Sequence, residues 1–151
     1  MSVIILGFGS NIGNRQETIS KSYALLNQEL GKIIKCSEFI TTKAWGFQSD
    51  NLFVNSCAEF QTKFSAIKCL HIINSIESRL GRIRHENICY EDRTIDIDIL
   101  FYDNNIINTK DLVVPHPLLH LRDFVLIPLK QIEPYFVHPV LKIAIKDICL
   151  K

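Results

Sequence analysis

Apolar and acidic residues alternate without interruption in one short segment in the second half of the chain. The isoleucines are Ile95, Ile97 and Ile99, and the aspartates are Asp96 and Asp98. Since successive side chains of a β-strand point to opposite faces of the sheet, a strand here has one apolar face and one acidic face. The chain must therefore form a sheet that buries one face of this strand and leaves two carboxylates on the other.

Patterns typical of strands and helices follow one another in a defined order. Strands are predicted over residues 3–6, 33–42, 52–60 and 94–102. Helices are predicted from Asn14, with Glu17 as its capping-box partner, to Gly31, from Ser65 to Gly81, and over Asp123–Ile132 and 143–150. The order strand, helix, strand, strand, helix, strand predicts an α+β fold, a ferredoxin-like sandwich with a mostly antiparallel sheet and helices packed on it.

Length and composition narrow the class of protein. The 151 residues suit a single domain spanning residues 1–151, and 47% of them are hydrophobic, enough for a sizeable core. A net charge of +1 gives no general attraction to nucleic acid or to a membrane, and no apolar run reaches membrane-span length. The five cysteines are dispersed without a Cys-x-x-Cys pair, which argues against disulfides and structural zinc. The N-terminus lacks the basic start of a signal peptide, so we expect a cytoplasmic protein, and we expect a monomer.

The two aspartates are the first candidate site. Side by side at about 6.5 Å, two such charges repel by roughly 2.5 kcal/mol in an effective dielectric of about 20. A cation between Asp96 and Asp98 removes that cost, and two carboxylates with water and phosphate oxygens are typical ligands of Mg²⁺. The alternative is the solvated outer face of an amphipathic strand.

Basic residues gather at both ends of the segment that precedes this strand. Arg79, Arg82, Arg84 and His85 lie where the second helix ends, and Arg93 lies immediately before the strand. Guanidinium groups beside a carboxylate–metal centre suit a polyphosphate, whose charge must be neutralised from several sides. A basic surface loop is the alternative.

A flat-ring site is indicated on the strand at 52–60. Phe53 and Asn55 are two residues apart and share a face, so they offer a flat apolar surface beside an amide. Phe124 is a candidate for the other side of a ring sandwich. Ordinary core packing is the alternative for both phenylalanines, whereas a buried Asn55 needs polar partners.

Two further features have weaker signals. His116 lies between Pro115 and Pro117, which fix the direction of the imidazole, either for a phosphate contact or for packing. The Gly7-x-Gly9 pair follows a strand but lacks the spacing of a dinucleotide fingerprint, and no Walker A sequence is present. We therefore expect these glycines to let the backbone pass close to the site.

Together these segments resemble the 6-hydroxymethyl-7,8-dihydropterin pyrophosphokinase family of folate biosynthesis. The matching stretches, in the family's order, are Gly-Ser-Asn-Ile-Gly-Asn-Arg (9–15), Phe-Val-Asn (53–55), Leu-Gly-Arg-Ile-Arg (80–84), Asp-Arg-Thr-Ile-Asp-Ile-Asp-Ile-Leu (92–100), Val-Pro-His-Pro-Leu (114–118) and Arg-Asp-Phe-Val-Leu (122–126). This sequence departs from the family's pattern at Glu91 and Asp92, where members often have Gly-Pro, and at Tyr90, where some have Trp.

The resemblance implies transfer of pyrophosphate from ATP to the pterin hydroxymethyl group, with release of AMP. It implies that two Mg²⁺ ions bind Asp96 and Asp98 together with ATP, and that Arg82 and Arg93 act as catalytic residues with these aspartates. The pterin-binding residues implied are Thr42, Ala44, Phe53, Asn55, Asp96 and Phe124. The ATP-binding residues implied are Leu70, Glu77, Arg82, Arg84, Arg93, Ile99, Leu112, His116 and Arg122.

Two other classes of function use the same features differently. A non-catalytic ferredoxin-like module that binds RNA or a small ligand predicts a basic sheet face with exposed aromatic residues, not two acids. A metal hydrolase predicts more metal ligands near the aspartates than the sequence offers.

Overall fold

The computed structural model describes residues 1–82 and 92–151. Its strands are β1 (Ser2–Ser10), β2 (Gly31–Cys36), β3 (Ile40–Thr42), β4 (Phe53–Thr62), β5 (Asp96–Tyr102), β6 (Ile107–Asn108) and β7 (Val113–Val114). Its α-helices are α1 (Arg15–Glu29), α2 (Ala66–Arg79) and α3 (Asp123–Ile132), and single 3-10 turns span Leu119–Leu121 and Ile145–Asp147.

The main sheet has the strand order β2-β4-β1-β5, with β3 also paired to β4. All four of these pairings are antiparallel, as is the separate pairing of β6 with β7. Helix α1 connects β1 to β2, and α2 connects β4 to β5, so each helix spans two strands that have a third strand between them. This confirms the predicted α+β architecture with a mostly antiparallel sheet.

Hydrophobic cores lie on both faces of the sheet. On one face α1 and α2 contribute Leu26 and Ile73 to a cluster with Ile97 and Ile99 of β5. On the other face α3 contributes Leu126 and Leu129 to a second cluster with Leu100 and Phe101. The isoleucine face of β5 is therefore buried as predicted, and the aspartate face is directed toward the layer that contains α3.

Local signals at the helix ends are confirmed. Asn14 caps α1: its Oδ1 accepts a hydrogen bond from the Glu17 backbone N–H at 3.3 Å, and its Nδ2 donates to the Glu17 carboxylate at 2.8 Å. Ser65 caps α2 by accepting from the Lys68 backbone N–H at 3.3 Å. Within the described residues, no helix is long and apolar enough to span a membrane.

Several predicted elements differ from those in the structure. The first strand continues through Gly7 and Gly9 to Ser10, because both glycines pair with β4 and β5. The predicted strand over 33–42 is divided into β2 and β3. The predicted helix over 143–150 is wrong: the backbone N–H groups of Ile145 and Lys146 donate to the carbonyls of Phe136 and Pro134, which leaves a single 3-10 turn.

Candidate active site

A cavity opens between the sheet and the N-terminal end of α3. β1, β4 and β5 form its floor, and the loop of residues 43–52, called here the wall loop, forms one side. Eight residues predicted from the sequence line it: Thr42, Phe53, Asn55, Arg93, Asp96, Asp98, Arg122 and Phe124. The fold thus brings most of the predicted pterin-binding and catalytic residues to a single concave surface.

Two glycines of β1 form the centre of the cavity floor. Gly9 pairs with Asn55 on one side and with Asp96 on the other, and Gly7 pairs in the same way with Cys57 and Asp98. A Cβ atom on Gly9 would lie 3.1 Å from Asn55 Oδ1 and 3.6 Å from Cδ1 of Phe53. The missing side chains therefore leave a trough that separates the amide side of the cavity from the carboxylate side.

Asn55 is held in a fixed orientation at the edge of this trough. Its side chain is buried, with 4% of the residue exposed, and its Nδ2 donates a 2.7 Å hydrogen bond to Thr42 Oγ1. Its Oδ1 lies against Gly9. A buried amide in a fixed plane can recognise the edge of a flat heterocycle by hydrogen bonding.

Aromatic rings lie on both sides of the cavity. Phe53 packs edge-to-face with Phe47, with ring centroids 6.2 Å apart, and the Arg93 guanidinium carbon lies 5.6 Å from the Phe53 ring centroid. On the other side the Trp45 and Phe124 centroids are 6.4 Å apart, and the Arg122 guanidinium carbon lies 4.5 Å from the Trp45 centroid. Apolar rings with cations beside them suit a flat polar ring.

Sequence reasoning did not assign Trp45, Phe47 or Lys43 to the site, although all three line the cavity. A signal was present, since Trp45 and Phe47 are two large aromatic residues close together in this loop. Ala44 is not among the lining residues and lies between Lys43 and Trp45 in the wall loop.

Both oxygens of Asp96 are paired with arginine. Arg82 Nη1 donates to Asp96 Oδ1 at 2.6 Å, and Arg93 Nη1 donates to Asp96 Oδ2 at 3.1 Å. Arg82 Nη1 also lies 3.3 Å from Oε2 of Glu77, and that oxygen accepts a 2.8 Å hydrogen bond from the Ile97 backbone N–H. Glu77 is 1% exposed, so it supports Arg82 and the start of β5 from the interior.

Asp98 has a different electrostatic environment from Asp96. Burial, together with the neighbouring Asp96 charge, raises the pKa of the Asp98 carboxyl to about 8, against the opposing effect of Arg122. Its side chain retains 36% exposure toward the cavity. An added cation would favour the charged carboxylate, because it would offset both the burial and the repulsion from Asp96.

His116 lies beside Asp98, with 3.9 Å between its Nε2 and Asp98 Oδ2. Burial, and then the positive charge of Arg122, lower the pKa of His116 to about 4, so the imidazole is neutral at pH 7. Its Nδ1 accepts a 3.2 Å hydrogen bond from the Leu118 backbone N–H. The ring proton is therefore on Nε2, and His116 can donate a hydrogen bond from that atom.

The carboxylates fit a magnesium site that is completed by a ligand. Two hard oxygen donors alone leave most of the octahedral shell of Mg²⁺ to water and phosphate. Across residues 1–82 and 92–151, no group of three or more His, Cys, Asp or Glu side chains is placed to hold a metal. The donor set of Asp96 and Asp98 therefore suits an ion that arrives with a polyphosphate.

The remaining predicted ATP-binding residues have varied positions. Ile99 and Leu112 are buried in the core on the α1 and α2 face, and Leu70 packs against that core. Arg84, like His85 and the departures at Tyr90 and Glu91, lies outside the described residues.

Comparison with known proteins decides the family. The sequence model for 7,8-dihydro-6-hydroxymethylpterin-pyrophosphokinase (HPPK) matches residues 5–134. The chain belongs to this family. A 2-amino-4-hydroxy-6-hydroxymethyldihydropteridine pyrophosphokinase of Aquifex aeolicus is 39% identical to it over 147 residues, which cover 97% of this chain and 90% of that protein. The enzyme of the same name from Bacillus subtilis is 34% identical over 87% of this chain and 78% of its own length.

Solved structures of HPPK proteins share the fold. The crystal structure of wild-type Plasmodium falciparum HPPK-DHPS superposes with a TM-score of 0.80 at 16% identity. The match covers 97% of this chain and 44% of that longer one. At that identity the likeness concerns the fold alone, and it confirms the architecture expected from the sequence.

Proposed function

We propose that this chain transfers pyrophosphate from ATP to 6-hydroxymethyl-7,8-dihydropterin, giving AMP and the pterin diphosphate, a step of folate biosynthesis. The observation that carries the proposal is a row of three paired residues on neighbouring strands, in which Gly9 of β1 lies between Asn55 of β4 and Asp96 of β5. This row places an amide suited to a ring edge and a carboxylate suited to a metal on opposite sides of an open trough. Family membership and the names of the relatives support the same reaction.

The pterin would bind at the amide side of the cavity. Phe53 and Phe124 would contact the two faces of its ring, and Asn55 would bind its amide edge, with backbone groups of Thr42 and Ala44 beside it. The trough over Gly9 then directs the hydroxymethyl group toward Asp96. This arrangement fixes the nucleophilic oxygen next to the site proposed for the phosphates, which is the main contribution a protein makes to such a transfer.

The triphosphate would bind at the carboxylate side. Asp96 and Asp98 would hold Mg²⁺ there, and the ion would supply charge neutralisation on the phosphate oxygens. Arg82 and Arg93 both donate hydrogen bonds to Asp96. Both guanidinium groups would therefore lie beside the transferred group. The pterin hydroxyl oxygen attacks the β-phosphorus, and the bond to the AMP oxygen breaks.

Other residues would hold the rest of ATP. His116 would donate from Nε2, and Arg122 and Arg84 would add positive charge. Leu70, Ile99 and Leu112 would contact the base, and Glu77 would act through Arg82. We further propose that residues 1–151 work as one domain, since both cores share the same sheet. We also propose, from the sequence alone, that the chain is a monomer in the cytoplasm.

A direct assay tests the reaction. The protein is mixed with ATP, Mg²⁺ and 6-hydroxymethyl-7,8-dihydropterin, and AMP is followed. AMP should form only when the pterin is present and the metal is not chelated. The Asp98→Ala variant, purified in parallel, controls for a contaminating enzyme. No AMP above the chelated control would refute the proposal, and ATP breakdown that does not need the pterin would indicate a hydrolase instead.

A further inference from the structure

Asp92 connects three separate parts of the chain through its carboxylate. Its Oδ1 accepts hydrogen bonds from Asn11 Nδ2 at 2.7 Å and from Ser49 Oγ at 2.6 Å, and its Oδ2 accepts from Asn51 Nδ2 at 3.0 Å. Asn11 follows β1, and Ser49 and Asn51 belong to the wall loop. These bonds hold the pKa of Asp92 below its usual value, with Ser49 as the main cause, so the acceptor is charged at neutral pH.

The backbone of the next residue, Arg93, is fixed by the same network. Its N–H donates to Asn11 Oδ1 at 2.7 Å, and its carbonyl accepts from the Asn11 N–H at 3.1 Å. The side-chain amide of Asn11 therefore bonds Arg93 with its oxygen and Asp92 with its nitrogen. Asn11 is only 3% exposed, so this end of the network is buried, whereas Asp92 and Asn51 are exposed at the surface.

The wall loop carries two of the cavity's aromatic residues. Trp45 and Phe47 precede Ser49 and Asn51 by a few residues, and Phe47 packs against Phe53. At its far end the loop is held separately, since Arg15 Nη1 donates to the Leu52 carbonyl at 2.7 Å. Asp92 is thus the acceptor that ties the section containing Ser49 and Asn51 to the segment that begins at Arg93.

We propose that Asp92 is a positioning residue that clamps the wall loop against Arg93 and so sets how tightly the cavity holds its flat-ring substrate. The identity of that substrate rests on the proposed function above. Asp92 lies outside the cavity lining, so it acts through Trp45 and Phe47 of the wall loop rather than by contact with the pterin.

The clamp predicts a split between kinetic parameters. In Asp92→Ala, Arg93 keeps its two bonds to Asn11 and its contact with Asp96, so kcat should change less than about threefold. The wall loop loses two bonds to a charged acceptor, and the KM for the pterin should rise about tenfold. Asp50→Ala is the matched control, because it removes the same charge from an exposed position of the same loop.

The chain offers a second readout that needs no substrate. Trp45 is the single tryptophan, so fluorescence excited selectively at tryptophan, without the tyrosines, reports on the wall loop. Acrylamide should quench Trp45 more strongly in Asp92→Ala than in the wild type, and Asp50→Ala should match the wild type. This measurement tests whether Asp92 holds the wall loop in place, and it remains valid even if the AMP assay refutes the proposed function.

A second variant removes the hydrogen-bond donors Ser49 and Asn51 and keeps the Asp92 carboxylate, in case Asp92→Ala does not fold. The Ser49→Ala/Asn51→Ala double variant should reproduce the KM and quenching changes of Asp92→Ala, and combining all three changes should add little, as expected of residues in one network. If Asp92→Ala does not fold, this double variant is judged on the same two readouts. Quenching and KM equal to those of Asp50→Ala, or fully additive effects, would overturn the proposal.

Discussion

Arg82 donates a 2.6 Å hydrogen bond to Asp96, whereas the neighbouring Asp98 has its pKa raised by burial and by the Asp96 charge. The two aspartates proposed to bind the same metal therefore contribute to stability with opposite sign. Asp96 balances the largely buried side chains of Arg82 and Arg93, whereas ionisation of Asp98 adds a second negative charge beside Asp96 that Arg122 and Arg82 only partly offset. Measurements of stability can therefore distinguish the two aspartates, although both are proposed to be required for activity.

Replacing either aspartate by alanine should remove most of the activity, but only the replacement of Asp96 should lower stability. Asp96→Ala leaves Arg82 and Arg93 without their shared carboxylate and should lower the melting temperature of the metal-free protein. Asp98→Ala should raise it or leave it unchanged. Both variants should lose turnover by orders of magnitude, because either change removes half of the protein's metal donors. Thermal melts with the AMP assay check this, and activity that survives either change would contradict the metal assignment.

The raised pKa of Asp98 also predicts a pH dependence of stability. In the unfolded chain the Asp98 carboxyl has its ordinary pKa of 3.8, and in the folded protein its pKa is about 8, so between these values the folded state binds more protons. Stability should therefore be highest below the lower value and fall as pH rises through about 8. Melting temperatures of metal-free wild type and Asp98→Asn, compared from pH 5 to 9, should diverge with rising pH in favour of the variant. Parallel curves would contradict the assignment.

The sequence predicted those parts of the site that depend on local pattern. The alternation of isoleucine and aspartate fixed which face of β5 meets the core, and Phe53 and Asn55 were placed on one face by their spacing. The covering of the second sheet face by α3 was not predicted, because periodicity shows that a helix has an apolar face but not which sheet face it meets. The roles of Trp45 and Asp92 depend on tertiary contacts between loops, for which a single sequence carries no periodic signal.

Gly9 should be far less tolerant of a methyl group than Gly7. A Cβ on Gly9 meets Asn55 Oδ1 at 3.1 Å, so the amide must move by a few tenths of an ångström, which disturbs its bond to Thr42. A Cβ on Gly7 meets only the flexible end of Leu100, at 3.4 Å. We expect Gly9→Ala to raise the pterin KM about tenfold, the equivalent of one charged or buried hydrogen bond, and Gly7→Ala to raise it much less. Steady-state kinetics of both variants, with circular dichroism to confirm folding, test this, and equal effects would contradict it.

Glu77 should matter for stability far more than an exposed glutamate in a similar pair. Glu77→Gln removes the negative charge that faces Arg82. Both side chains are largely buried, with 7% of the arginine side chain and 2% of the glutamate side chain exposed. Asp96 still partners Arg82, so the cost should be about 1–3 kcal/mol, below that of a fully broken buried pair. The matched control is Glu29→Gln, whose partner Arg79 lies at 2.7 Å on the surface with 46% exposure.

That exposed pair should contribute little to stability, because solvent screens it and both side chains lose entropy when they pair. Urea unfolding of the two variants measures the difference. The KM for ATP should rise only in Glu77→Gln, since Arg82 loses one of the acids that fix it beside the proposed phosphate site. A stability loss without any change in ATP kinetics would place Glu77 in the scaffold alone, and its proposed action on ATP through Arg82 would be wrong.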